Sequence, residues 1–132
     1  MEKQRFSIEK ELRCKSANII WPLLSTPEGL SKWIADEVER DGDQLRFTWG
    51  EVWSHHEIKT ASVLEEARGE YIRYSWENGI DEDDFWELRI EKSDITGDYI
   101  LIITDHALPE DIESLESIWE SNLEQLHHTT GL

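Results

Sequence analysis

Apolar and polar positions alternate at the start of the chain. In "RFSIEKELRC" (5–14), Phe6, Ile8, Leu12 and Cys14 fall on one face and Ser7, Glu9, Glu11 and Arg13 on the other. Period two over that length predicts a half-buried strand, with Lys10 as a break in its inner face: a bulge, a snorkelling lysine or a cation at a cavity wall. Residues 17–25, "ANIIWPLLS", read as a short helix, irregular at Pro22, with Ser16 in the N-cap position. A second short helix follows. Thr26 can cap it, Pro27 suits its first position, and Leu30, Trp33 and Ile34 share one side.

From residue 36 the period returns to two. "DGD" (41–43) signals a hairpin. Leu45, Phe47 and Trp49 share a strand face. Residues 52–66 are a long strand candidate, and "EARGE" turns around Gly69. Ile72, Tyr74 and Trp76 form the next inner face, and Trp86, Leu88 and Ile90 another. The acidic loop "ENGIDEDD" lies between them and "SDITGD" closes the second. "YILIITDHA" (99–107) is apolar on both sides, as a strand flanked by neighbours would be. Residues 110–128 then switch to helical spacing. Ile112, Leu115, Trp119, Asn122 and Leu126 form one stripe, flanked by Ile118 and Leu123, behind a start marked by Pro109 and acids at 110, 111 and 113.

Strands joined by short turns are mostly antiparallel, and one curved sheet has a single apolar face to cover. The predicted architecture is α+β: a helix-grip fold, with an antiparallel sheet of about six to seven strands wrapped around a long C-terminal helix and two short helices after the first strand. It occupies residues 1–132 as one domain.

Composition narrows the functions available. Thirteen basic and thirty acidic residues give a net charge of −17, a field that repels phosphate backbones and anionic lipid surfaces. Nucleic acid is therefore not an expected partner. No run approaches the ~20 apolar residues of a membrane span, so membrane insertion is not expected either. The single Cys14 rules out an internal disulfide. With no apolar run of signal-peptide length at the N-terminus, a cytoplasmic location is the expectation.

Candidate chemistry concentrates in "FTWGEVWSHH" (47–56). His55 and His56 are neighbours on a strand and point to opposite faces, so they cannot chelate one ion; no metal and no other cofactor is expected. Asp105 and His106 diverge for the same reason, and "DEDD" (81–84) lacks the spacing of a calcium loop. No nucleophile, phosphate-loop or metalloprotease motif is present, so no catalytic residue is assigned. Tryptophans carry the remaining signal. Trp33, Trp49, Trp76, Trp86 and Trp119 come from five elements whose phases allow all five to face one interior. They form either an aromatic core or the wall of a cavity, with His56, Tyr74 and Asn122 as its polar groups. Asn122 is the most telling, because it interrupts an apolar stripe.

Three segments carry a family resemblance: "IIWPLLSTPEGLSKWIADEV" (19–38), "YIRYSW" (71–76) and "IWESNLEQL" (118–126). With the order of elements, they resemble the START-like (Bet v 1-like) superfamily, and within it the compact proteins related to the C-terminal domain of the Hsp90 activator Aha1. The resemblance implies a cavity between sheet and C-terminal helix that receives a hydrophobic or amphipathic molecule. The expected function is non-enzymatic binding of such a molecule. A cyclase- or hydrolase-like enzyme using the same cavity is one alternative. A protein-interaction module with an Hsp90-type chaperone as partner is the other, although 132 residues leave no room for the separate N-terminal domain on which the Aha1 family's chaperone role depends.

Overall fold

The structure is a computed structural model that describes residues 3–50, 56–77 and 85–132. Strand β1 (Gln4–Glu11) leads into helices α1 (Ala17–Ser25) and α2 (Pro27–Leu30). Strands β2 (Glu37–Asp41), β3 (Gln44–Gly50), β4 (His56–Ala67), β5 (Tyr71–Trp76), β6 (Trp86–Lys92) and β7 (Tyr99–Ala107) follow, and a single 3-10 turn at Pro109–Asp111 opens helix α3 (Ile112–Thr130). The seven strands form one antiparallel sheet in the order β1-β7-β6-β5-β4-β3-β2. That is the predicted α+β helix-grip architecture.

Alternation in the sequence becomes two sheet faces. Leu45, Phe47, Ile72, Tyr74, Trp86, Leu88, Leu101 and Ile103 are all at most 1% exposed on the inner face. β7, whose sequence is apolar on both faces, lies between β1 and β6 as an interior strand. Gly42 supplies the positive φ of 64° in the tight turn that sets Asp41 opposite Gln44, as the "DGD" signal implied. The ladder between β4 and β5 shifts register at Val63/Glu65, which leaves Leu64 half exposed. Lys10 occupies its inner-face position without a bulge, opposite Leu101 and half-buried.

Two details depart from the local reading. Ser16 sits at the N-cap of α1, but its hydroxyl makes no capping bond; its carbonyl instead accepts from Ile19 and Ile20. The capping hydroxyl is that of the next helix, α2. Thr26 accepts from the Gly29 N–H (3.0 Å) and donates to the Pro22 carbonyl (2.6 Å), joining α1 to α2. Gly29 is required there by space: a Cβ would lie 2.0 Å from the Pro22 carbonyl oxygen. The stripe of α3 is also narrower than its periodicity suggests. Trp119, Leu123 and Leu126 are buried, whereas Ile118 is 56% exposed. The acidic loop at 78–84 and the segment 51–55 lie outside the described residues.

Candidate functional site

The tryptophans do converge, and most of the space between them is filled. Rings touch in a continuous series: Trp49 and Trp76 at 6.2 Å between centroids, Trp76 and Trp86 at 5.3 Å, Trp86 and Trp119 at 5.8 Å, Trp119 and Trp33 at 6.1 Å. Phe47 sits against three of them and Tyr74 stacks on Trp86 at 4.4 Å. Such tilted and offset pairs contribute about 0.5–1.5 kcal/mol each beyond area burial. This part of the interior is an aromatic core.

A half-open cleft of about 460 Å3 remains at one end of that core, between α3 and the inner face of the sheet. Trp49, Trp76, Trp86 and Trp119 contribute to its wall, with Asp105 from β7 and Asn122 from α3. Ile34 forms one rim and Ile118 and Ser121 another; Glu57 and Lys59 reach it from β4. A smaller depression of about 310 Å3 adjoins it, sharing Ile34, Trp49, Ser121 and Asn122 and including Trp33. Volumes of this order are those of small-molecule sites.

The eight residues singled out in the sequence therefore separate. Trp49, Trp76, Trp86, Trp119 and Asn122 line the cleft. Trp33 lines only the adjoining depression, and its indole N–H is held by the Leu23 carbonyl at 2.8 Å. Tyr74 is fully buried behind Trp86 and donates to the Leu24 carbonyl at 2.6 Å. Burial pushes its hydroxyl pKa well above the usual phenol range, with Glu66 adding to the rise and Arg40 opposing it. It is a structural tie between β5 and α1. His56 opens β4 opposite Gly50, and its side chain, like the whole of His55, lies outside the described residues.

Hydrogen bonding distinguishes the cleft tryptophans. Trp49 donates to the Ile34 carbonyl at 2.8 Å. Trp119 donates to Asp105 Oδ2 at 2.8 Å, while Asp105 Oδ1 accepts from the His106 backbone N–H at 2.8 Å. Trp86, 1% exposed, has a buried indole N–H with no hydrogen-bond partner among the described residues. A buried donor left unpaired costs about 1–3 kcal/mol.

Sequence reasoning missed Asp105, Glu57 and Lys59. Asp105 was visible as a lone carboxylate at the next inner-face position after Leu101 and Ile103. Glu57 and Lys59 share the inner face of β4, opposite Trp49 and Phe47 in register, and pair with each other at 3.6 Å. Lys59 Nζ lies 5.6 Å from the centre of the Trp76 ring.

Asp105 and His106 do point to opposite faces. His106 lies on the outer face, where Arg5 Nε donates to its Nε2 at 3.2 Å and its Nδ1 meets the Phe85 carbonyl at 2.8 Å. The arrangement requires the Nδ1–H tautomer and uses both ring nitrogens structurally. Beside it, Glu87 is 6% exposed and bonds to Arg73 (2.8 Å) and Arg89 (3.2 Å). Burial pushes its carboxyl up, but the two arginines outweigh that and hold it below the usual range. Among the described residues no group of three His, Cys, Asp or Glu is placed to hold a metal ion. No described helix is long and apolar enough to cross a membrane.

A family model for the START-like superfamily domain matches residues 1–132. The chain belongs to the START-like superfamily. A Bacteroides fragilis protein solved by NMR is similar at 32% identity, covering 98% of this START-like chain and 92% of its own, with a TM-score of 0.66. Two Aha1-like structures share the fold. The Aha1 dimer from Colwellia psychrerythraea is 14% identical, covers 97% of this chain and 98% of its own, and has a TM-score of 0.75. The AHSA1-like protein from Aeromonas hydrophila is 11% identical, covers 97% and 92%, and has a TM-score of 0.77. At those identities the likeness is one of fold alone. Comparison with curated proteins finds no match to this START-like chain.

Proposed function

We propose that this START-like domain is a non-enzymatic binding domain for a small apolar or amphipathic molecule, held in the cleft between the sheet and α3. The fold is one that typically binds ligands or interacts with proteins. The observation that carries the reading is the wall: four tryptophans with Asn122 and Asp105 around about 460 Å3. Aromatic surface with a few fixed polar groups is the chemistry of small-molecule sites. A ligand there removes apolar surface from water at about 25 cal/mol per Å2, less the cost of ordering both partners.

Titration with Nile red, an uncharged apolar fluorophore, tests this. Saturable one-to-one binding is expected, and loss of it in Ser121→Trp, which fills the cleft from the exposed side of α3 without replacing any residue of the aromatic core. Absence of saturable binding, or binding that Ser121→Trp leaves unchanged, refutes the proposal.

A further inference from the structure

We infer that the ligand of this cleft is an amphipathic organic cation, an alkylated ammonium on an apolar body, and that its charged end seats over the Trp76 ring beside Glu57, in the place Lys59 now holds. The inference rests on the binding function proposed above and specifies its chemistry.

The free protein already keeps one ammonium there. Lys59 Nζ stands over the Trp76 ring, 5.6 Å from its centre, and lies 3.6 Å from Glu57 Oε1. All three residues line the cleft. Trp86 stacks on Trp76 at 5.3 Å, so the ammonium approaches from the side away from Trp86. Ring face and carboxylate thus meet one cation together, and the negative face of an indole is the best aromatic partner a cation can have. Strand register puts them there. Glu57 and Lys59 lie opposite Trp49 and Phe47 on the inner face of β4, and Ala61, the next inward position, lies opposite Trp76.

The hold on Lys59 is loose. Its side chain is 52% exposed and that of Glu57 65%. An ion pair so exposed contributes little, and a lysine tip in water changes rotamer within nanoseconds. The primary ammonium of lysine is also strongly hydrated. An alkylated ammonium gives up less water on binding and brings an apolar body for the tryptophan wall, so it gains more over Trp76 than Lys59 does. Charge selects the sign. Asp105 stands in the same wall as a second carboxylate, 7% exposed, and the whole chain carries −17. An anion would meet both carboxylates, and a neutral molecule would gain nothing from either.

Two probes of one shape test the inference. (2-Naphthylmethyl)trimethylammonium and 2-neopentylnaphthalene differ only by a cationic nitrogen in place of a carbon; 2-naphthylacetate supplies the anion. Displacement of Nile red reads all three. The cation should bind roughly three- to thirtyfold more tightly than its neutral twin, and the acetate most weakly. The cation-to-neutral ratio should fall about two- to fivefold in Glu57→Gln and rise in Lys59→Ala, which removes the competing ammonium. The N-methyl protons should show nuclear Overhauser contacts to the Trp76 indole. If a variant fails to fold, the wild-type ranking and contacts decide. Binding of the neutral twin as tightly as the cation, tightest binding of the acetate, a ratio unmoved in either folded variant, or contacts that bypass Trp76 would each overturn the inference and leave the cleft as a binding site. Failure of all three probes while Nile red binds saturably overturns the inference alone. Failure of Nile red as well removes the binding function beneath it.

Discussion

The hydrogen bond between Trp119 and Asp105 should be a principal tie between α3 and the sheet. Both residues are buried, at 5% and 7% exposure, and the indole nitrogen is 2.8 Å from the carboxylate oxygen. A hydrogen bond to a charged group contributes about 1.5–3 kcal/mol net, and burial of both ends favours the upper half of that range. Single substitutions confound this with other losses. Trp119→Ala discards ring packing against Trp33 and Trp86 and should cost about 3–5 kcal/mol in all, as for other buried aromatics. Asp105→Ala also frees the backbone N–H of His106. A double-mutant cycle of Trp119→Phe and Asp105→Ala cancels both, because each loss appears on two parallel sides. Urea unfolding of the four proteins should give a coupling of about 2–3 kcal/mol. With a slope of about 1–3 kcal/mol per molar, typical of small domains, that displaces midpoints by roughly 1 M. A coupling below about 0.5 kcal/mol, the scatter expected of independent sites, would refute the argument.

Gly29→Ala should destabilise by about 1–3 kcal/mol or more, since the new Cβ would meet backbone at 2.0 Å that no rotamer change can relieve; an unchanged melting temperature would contradict this. Glu87 predicts a pH dependence. Its folded-state pKa is depressed, so its contribution is fully present above the unfolded glutamate value near ~4.3 and is lost as pH falls through the folded value. Wild type should therefore lose more stability than Glu87→Gln between pH 7 and about pH 3, read from urea midpoints; equal losses would refute the assignment. Exhaustive dialysis against a chelator should leave the melting temperature unchanged, and a fall of several degrees restored by zinc would show that a structural metal is present.

The legible part of this fold is what periodicity encodes. Period two assigns a side of the sheet to every strand residue, so the inner faces of β3, β5 and β6 could be written down with Trp49, Trp76 and Trp86 in place. Period 3.6 put Trp119 and Asn122 on the same side of α3. Periodicity gives a direction but no distance, and what it could not supply follows from that. Trp33 and Tyr74 point inward as expected, yet their polar atoms are spent on the carbonyls of Leu23 and Leu24 at the end of α1. Asp105 is on the inner face by simple count. Only the packing of α3 across β7 brings Trp119 to it. Ile118 belongs to the apolar stripe by spacing and is more than half exposed, because the helix covers less of the sheet than its stripe is wide.

That shortfall explains why a cleft exists. Seven strands about 4.8 Å apart span roughly 29 Å, while a helix with its side chains is only about 10–12 Å across. One helix cannot cover such a sheet. α3 packs against β1 and β7 at one edge, and α2 packs against β2 at the other. Between these two covers the inner face must be filled by side chains alone, and the largest ones stand there, Trp49, Trp76 and Trp86 on three different strands. Where the rings stop short, the seam stays open, with Ile34 on the α2 side and Ser121 and Asn122 on the α3 side. The cleft's position is thus set by sheet width and helix diameter, and its chemistry by a few substitutable groups. Exchanging Asn122 or Ser121 for larger apolar residues could close it with little strain, since both sit at its margin. Trp86 cannot be altered so cheaply, because four other rings depend on it for packing.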